Sequence, residues 1–447
     1  MVRIGNYVGR SCPTVPPLQE GAYPLPTSGT LRAAVPDVAD HALACFASKL
    51  HRGEPVHMVF FGSSVTAGIR CKHKRERSVN FPQQLAQFLE TRYPSANLTM
   101  DVYGYPGASP NFMRACHISL MQTNAADLYV LEMTDNLSDG YVGVGLSIEG
   151  LMSAVRQRAP HAALVLLAPV PQKCVRAIKR MKPFQYIPLD DASTLQILRD
   201  DCYSNNTVAA SFEDVGTAHN FTTISARNLV RAELFRSPSM ATEIIGRLHY
   251  DAVHPRGFGH WQLAAALEHA IVRNAPSSMR VEAHREASTL LPPSVCIPPS
   301  PGELEQGNLF APREVSTGSM VCALGEELHQ YVLQTSGWKY TTEYNKEGLP
   351  KPGYIATQPG STLDLCHRPE LKFSRASSSG HSHRLVNVAW SLGYLMSYEH
   401  MGRMRGECLS KESSCSCGAR IFDAHWRLPV SQPHISRLKL QIRVCHT

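Results

Sequence analysis

The feature that most constrains this chain is an alternation. Between residues 34 and 274, short apolar runs that stop at small or polar residues take turns with stretches of helical periodicity. Val56 to Phe61 is one such run, ending at Gly62, and Leu98 to Tyr103, Leu128 to Met133 and Ala162 to Val170 repeat the pattern. Ala42, Leu43, Phe46 and Leu50 precede the first run at a spacing that puts them on one helical face, and Phe81 to Leu89 and Gly150 to Arg158 read as helices between later runs. Strands that are apolar on both faces need cover on both sides, so the pattern predicts an α/β fold, a parallel sheet with helices over it. A helix from about Gly259 to Arg273, with Trp261, Ala264, Leu267 and Ile271 on one side, closes the domain. Residues 171–250 offer a basic helical stretch, Lys173 to Lys182, and no strand.

The alternation has clear ends. Residues 1–33 are rich in Pro, Gly and Ser without periodicity and predict an irregular arm. Residues 275–312 carry Pro292-Pro293, Pro298-Pro299 and Pro301, a density that neither helices nor central strands tolerate, and predict a linker. Beyond it, residues 313–447 show short β-like segments, most plainly Arg437 to Val444, where polar and apolar residues alternate strictly. A small, mostly-β, sandwich-like domain is expected there.

Composition limits the function classes. No stretch reaches the eighteen or so apolar residues of a membrane-spanning helix. The formal charge of +7 is spread widely, and its one concentration, Arg70 to Arg77, is too small for a nucleic-acid arm. That run lies just after a candidate catalytic turn, where it either favours an anionic substrate or forms a solvated loop. Of the 13 cysteines, Cys322, Cys366, Cys408, Cys415, Cys417 and Cys445 fall in the last domain, a density that suits an oxidising compartment. Cys408, Cys415, Cys417 and His425 do not have a standard zinc spacing, so disulfides are expected rather than a metal. Asn97-Leu-Thr and Asn220-Phe-Thr are glycosylation triplets. Met1 to Thr30 lacks the apolar core of a secretory signal, so a secreted protein with an incomplete N-terminus or an unusual targeting route is expected.

Four places could carry chemistry. The Val56–Phe61 strand runs into Gly62-Ser-Ser-Val-Thr-Ala-Gly68, where Ser64 can expose its hydroxyl and the turn N–H groups can face an oxyanion. Asp251-Ala-Val-His254 places a carboxylate and an imidazole side by side, the arrangement that orients a general base. Gly107 follows the second strand and Asn136 the third, both at the same sheet edge as Ser64 if the strands are parallel, and a Gly N–H and an Asn amide are oxyanion donors. Taken singly, each has a plainer use: Gly-Ser-Ser is common in turns, Asp251 can cap one, Gly107 permits close backbone approach and Asn136 can cap a helix.

The order Ser64, Gly107, Asn136, Asp251 to His254 resembles the four blocks of the SGNH (GDSL-like) hydrolases. The resemblance implies a three-layer α/β/α domain in which Ser64 is the nucleophile. Ser64, Gly107 and Asn136 then supply the oxyanion donors, His254 is general base and acid, and Asp251 orients it. Ser63 stands where that family usually has Asp, and Thr134 where it usually has Gly. The run from Gly62 to Gly68 is similar to algal and protist members that carry a small residue before the serine. That likeness continues into the last domain through Gly337-Trp338, Gly353-Tyr354, Pro359-Gly360-Ser361, Gly393 to Gly402, Cys408, Cys415-Ser-Cys417 and Asp423-Ala-His425. It also implies that one further strand follows Thr447.

The expected activity is therefore serine ester hydrolysis through an acyl-enzyme, with no metal or organic cofactor. An acylated, and most simply O-acetylated, carbohydrate or another small ester is the expected substrate. Acyl transfer to a sugar hydroxyl at the same site, and a carbohydrate-binding protein that has lost turnover, are the alternatives. Tyr394, Tyr398, Trp390 and Trp426 could stack on sugars or pack a small core. No sequence feature sets an oligomeric state.

Overall fold

The structure is a computed structural model. It describes residues 3–8, 27–35, 40–68, 80–120, 126–133, 144–180, 202, 207–236, 241–249 and 251–275, and then 323, 325–344, 350–365, 384–396, 401–407, 415–416, 419–425 and 432–444. The chain divides into two compact units, residues 1–113 with 121–311, and residues 114–120 with 312–447.

The first unit is built on a parallel sheet. Its strands among the described residues are β1 (Arg3–Val8), β2 (Pro55–Gly62), β3 (Asn97–Gly104), β4 (Leu128–Glu132), β5 (Ala163–Ala168) and β6 (Thr222–Ser225), in the order β1-β3-β2-β4-β5-β6. Every neighbouring pair runs parallel. After β2 the chain steps to one side for β3, then crosses back over β2 to β4 and continues outward. That reversal opens a crevice at the carboxyl ends of β2, β3 and β4, the place where ligands settle in open α/β sheets.

Helices α1 (Ser28–Ala34), α2 (His41–His51), α3 (Phe81–Arg92), α4 (Pro110–Leu120), α5 (Val144–Arg158), α6 (Gln172–Arg180), α7 (Val208–Ala218), α8 (Ala226–Arg236), α9 (Ala241–Leu248) and α10 (Gly257–Asn274) fill the connections. Successive strand residues face opposite sides, so β2 feeds two cores. Met58 and Phe60 join Phe46, Phe81, Leu85 and Leu267 in a cluster made with α2, α3 and α10. On the other side Phe61 stacks with Tyr103 and Tyr129, at 5.4 and 6.1 Å between ring centroids. Phe46, Phe60, Phe61, Phe81 and Tyr129 are each 1% exposed or less, and a side chain that size contributes roughly 1.5–3 kcal/mol by leaving water. The helix starts are capped locally, Asp40 accepting from Leu43 N at α2 and Asn80 from Gln83 N at α3.

Two stretches depart from the sequence reading. The expected irregular arm contains β1, an edge strand beside β3, and α1. An edge strand needs only one paired side, so Arg3–Val8 joins without the apolar run that marks a central strand. In residues 171–250 the structure adds β6, whose sequence Thr-Thr-Ile-Ser hides a buried strand behind hydroxyls. Thr222 satisfies its hydroxyl by donating to Asp40 Oδ2 at 2.9 Å. Cys174 and Cys202 form a disulfide in this unit.

The second unit is antiparallel β. Strand β7 (Val332–Ser336) pairs with β10 (Thr362–Leu365), and β8 (Trp338–Tyr344) with β9 (Pro350–Ala356). Strand β11 (Arg384–Met396) pairs along its length with β15 (Gln432–Val444), which also takes β13 (Cys415–Ser416), and β12 (Arg403–Gly406) pairs with β14 (Arg420–Asp423). The alternating Arg437–Val444 run lies within β15. Most of the expected linker, residues 276–311, lies outside the described residues, as do the sulfurs of the cysteine-rich module. Among the described residues no helix is long and apolar enough to cross a membrane.

Candidate active site

Ser64 sits directly past the end of β2, at the crevice. Residues 63–68 wind into a turn closed by Ala67 N–H donating to Ser63 O at 3.0 Å and Gly68 N–H to Val65 O at 3.0 Å. Val65 and Ala67 are buried, which anchors the turn, and Ser64 itself is 4% exposed. Gly62 is needed here: a Cβ on it would lie 1.8 Å from Thr66 Oγ1 and 2.7 Å from Glu132 Oε2.

The acid–base turn arrives from far along the chain, between α9 and α10. Arg256 N–H donates to Leu248 O at 2.8 Å and closes the loop that presents it. Within it, Asp251 Oδ1 accepts from the N–H groups of Val253 and His254, both at 2.8 Å. Its other oxygen, Oδ2, lies 2.7 Å from His254 Nδ1, and His254 Nε2 lies 3.0 Å from Ser64 Oγ. An ionised carboxylate only accepts, so the proton belongs on Nδ1 and the lone pair on Nε2 faces the serine hydroxyl. Burial pushes the Asp251 carboxyl up, but the hydrogen bond and charge of His254 and the two backbone N–H groups outweigh it and hold the group well below the usual carboxylate range.

Gly107 lies in the turn after β3, with φ of 80°, a conformation that side chains resist. Tyr105 N–H donates to Gly62 O at 3.0 Å, which extends the β2–β3 pairing and sets this turn beside the one carrying Ser64. Asn136 and Thr134, and the basic run Arg70 to Arg77, lie outside the described residues.

The structure adds a residue that the sequence reading passed over. Glu132, the last residue of β4, pairs in register with Gly62 and is 2% exposed. It accepts from Ser63 N at 3.1 Å, Ser63 Oγ at 3.1 Å, Thr66 N at 3.0 Å and Thr66 Oγ1 at 2.7 Å. Burial raises its carboxyl, against the lowering effect of these bonds. Thr66 is also held from behind, its carbonyl accepting from Asn80 Nδ2 at 2.9 Å. The signal was there to find: an acid closing the apolar run Leu-Tyr-Val-Leu-Glu must be satisfied by buried donors.

Beneath the turns, Glu132, His249 and Gln262 share with Val65, Leu229 and Val253 a cavity of about 40 Å³, room enough for water. Nearby on α10, His260 is 1% exposed, its ring stacks on Phe81 and neither ring nitrogen has a hydrogen-bond partner among the described residues. Burial, and then the neighbouring His254 and His249, push its pKa down to about 3.

No protein-family model matches the chain, and no curated protein matches it. Solved structures do. A crystal structure of a two-domain esterase (CEX) active on acetylated mannans superposes with a TM-score of 0.53 over 93% of this chain and 94% of that one, at 13% identity. The same esterase co-crystallised with mannopentaose gives 0.53, covering 93% of each chain at 12% identity. The likeness is one of fold. An acetylxylan esterase from Geobacillus stearothermophilus matches 50% of this chain and 97% of its own at 14% identity, with a TM-score of 0.33, too loose a superposition to argue from.

Proposed function

We propose that this chain is a serine ester hydrolase of the SGNH type that removes O-acyl groups, most simply acetyl, from a carbohydrate. The observation that carries the reading is the unbroken hydrogen-bonded chain from Asp251 through His254 to Ser64. Ser64 Oγ attacks the ester carbonyl as His254 Nε2 takes its proton. The N–H groups of Ser64 and Gly107 and the amide of Asn136 hold the negative charge that develops on the carbonyl oxygen. His254 then returns the proton to the leaving alcohol, and a water activated by the same nitrogen releases the acid. Asp251 keeps the imidazole in the required tautomer and orientation.

The carbohydrate assignment is supported by the fold shared with the two-domain esterase active on acetylated mannans. An oxidising, secretory setting is part of the proposal and is supported by the Cys174–Cys202 disulfide. Ser64→Ala tests the centre of the reading. The variant should fold, lose fluorophosphonate labelling and lose acetate release from acetylated mannan and from p-nitrophenyl acetate. Undiminished hydrolysis by the variant would sink the assignment.

A further inference from the structure

Four donors converge on Glu132, a buried carboxylate outside the Asp251–His254–Ser64 chain, and all four are uncharged. An apolar side chain at the end of β4 would fill the same space without a desolvated acid, so the acid calls for a purpose. The donors supply one. Ser63 and Thr66 bracket the nucleophile in a helical turn whose first N–H groups have no partner inside the turn. Glu132 takes the N–H groups of Ser63 and Thr66, whereas the Ser64 N–H has no partner among the described residues.

We propose that Glu132 is a positioning residue: by clamping Ser63 and Thr66 it fixes the turn so that the Ser64 hydroxyl meets His254 and the Ser64 N–H stays available to the oxyanion. This rests on the serine-hydrolase reading above. On its other side the turn is held through the Thr66 carbonyl by Asn80, so Glu132 and Asn80 fix it between them, and loss of the carboxylate frees the Ser63–Thr66 backbone to shift.

The bonds are unevenly shared, and this gives a test. Oε2 receives both N–H groups and the Thr66 hydroxyl, while the shortest contact of Oε1 is with the Ser63 hydroxyl, which can accept as readily as donate. A glutamine with its oxygen at the Oε2 position therefore keeps all four bonds, whereas a methionine of similar size keeps none. Glu132→Met should lower both fluorophosphonate labelling and kcat by at least about tenfold with KM within about twofold, since an ångström of displacement at a reacting atom has effects of this order. Glu132→Gln should return both to within about threefold of the parent, because the hydrogen bonds and not the charge do the positioning.

Thermal unfolding of each variant normalises the rates to folded protein. Labelling of folded Glu132→Met at the parent's rate, or a Glu132→Gln as slow as Glu132→Met, overturns the proposal. If Glu132→Met does not fold, Ser63→Ala and Thr66→Val each remove one donor at the turn surface of the clamp, and unchanged labelling in both overturns it equally. Ser64→Ala separates the two levels: parent-like labelling of that variant removes the hydrolase reading itself. A silent Ser64→Ala beside an unaffected Glu132→Met removes only the role of Glu132.

Discussion

The two turns that meet at the site are built in opposite ways. The Ser64 turn is buried and is held by residues distant in sequence, Glu132 and Asn80. The Asp251–His254 turn is held by bonds within four residues, and its side chains are partly open, 36% for Asp251 and 18% for His254. A self-capped turn keeps its geometry wherever the fold carries it. A clamped turn takes its geometry from the sheet, so the serine is only as well placed as the strand next to it.

Asp251→Asn probes the self-capped turn most severely. The asparagine oxygen can still accept from Val253 and His254 N–H, so the turn persists, but its amide nitrogen faces His254 Nδ1 and favours the wrong tautomer. A fall in kcat of roughly 10⁴-fold in protein that still folds is expected, as for comparable triads. Steady-state kinetics with p-nitrophenyl acetate read it, and a loss of less than about tenfold would show that the tautomer is set elsewhere. Asn136→Ala comes next, with kcat lower by roughly 10²–10³-fold, the usual loss for one oxyanion donor. A variant within about threefold of the parent means another group holds the charge.

Smaller effects fall on stability and leave the two turns alone. Replacing Cys174 and Cys202 by alanine opens a loop with a sequence separation of 28 and should remove roughly 3–4 kcal/mol from the unfolding free energy of the first unit, with labelling at Ser64 unchanged. Denaturant titration measures the first and the probe measures the second; slower labelling would tie the disulfide to the site.

His260 should give the unit a sensitivity to acid. Between its unfolded value of 6.5 and about 3 the unfolded chain binds a proton that the folded one does not. Its contribution is therefore intact above pH 6.5 and lost as the pH falls, by up to about 1.4 kcal/mol per pH unit. Asp251, whose folded pKa is depressed, contributes stability above its unfolded value of 3.8 and loses it in stronger acid. Melting curves of His260→Leu should fall less steeply than those of the parent between pH 6.5 and 4 and converge with them in slope above it. Equal slopes in that window mean that His260 does not stay neutral.

The same contrast decides what could be read from the sequence. Asp251-Ala-Val-His254 was legible because its bonds lie inside the motif, and β2 to β5 were legible because strands covered on both faces must be apolar throughout. For Glu132 the sequence shows an acid closing an apolar run but not what it binds, since its partners lie 66 and 69 positions away and only the register of β2 against β4 brings them together. Strand β6 was hidden by its hydroxyls and β1 by its place at an edge, where one unpaired side relaxes the demand for apolar residues. Ser63, a departure from the family pattern in sequence, is a donor to Glu132 in the structure.

The bond from Asn80 to the Thr66 carbonyl fixes where the chain comes back after residues 69–79. Gly68, where the chain leaves the turn, and Asn80, where it returns, are thus two posts driven into the same buried ground. A change at Asn80 would therefore reach the nucleophile without touching it, through a carbonyl two residues along the chain.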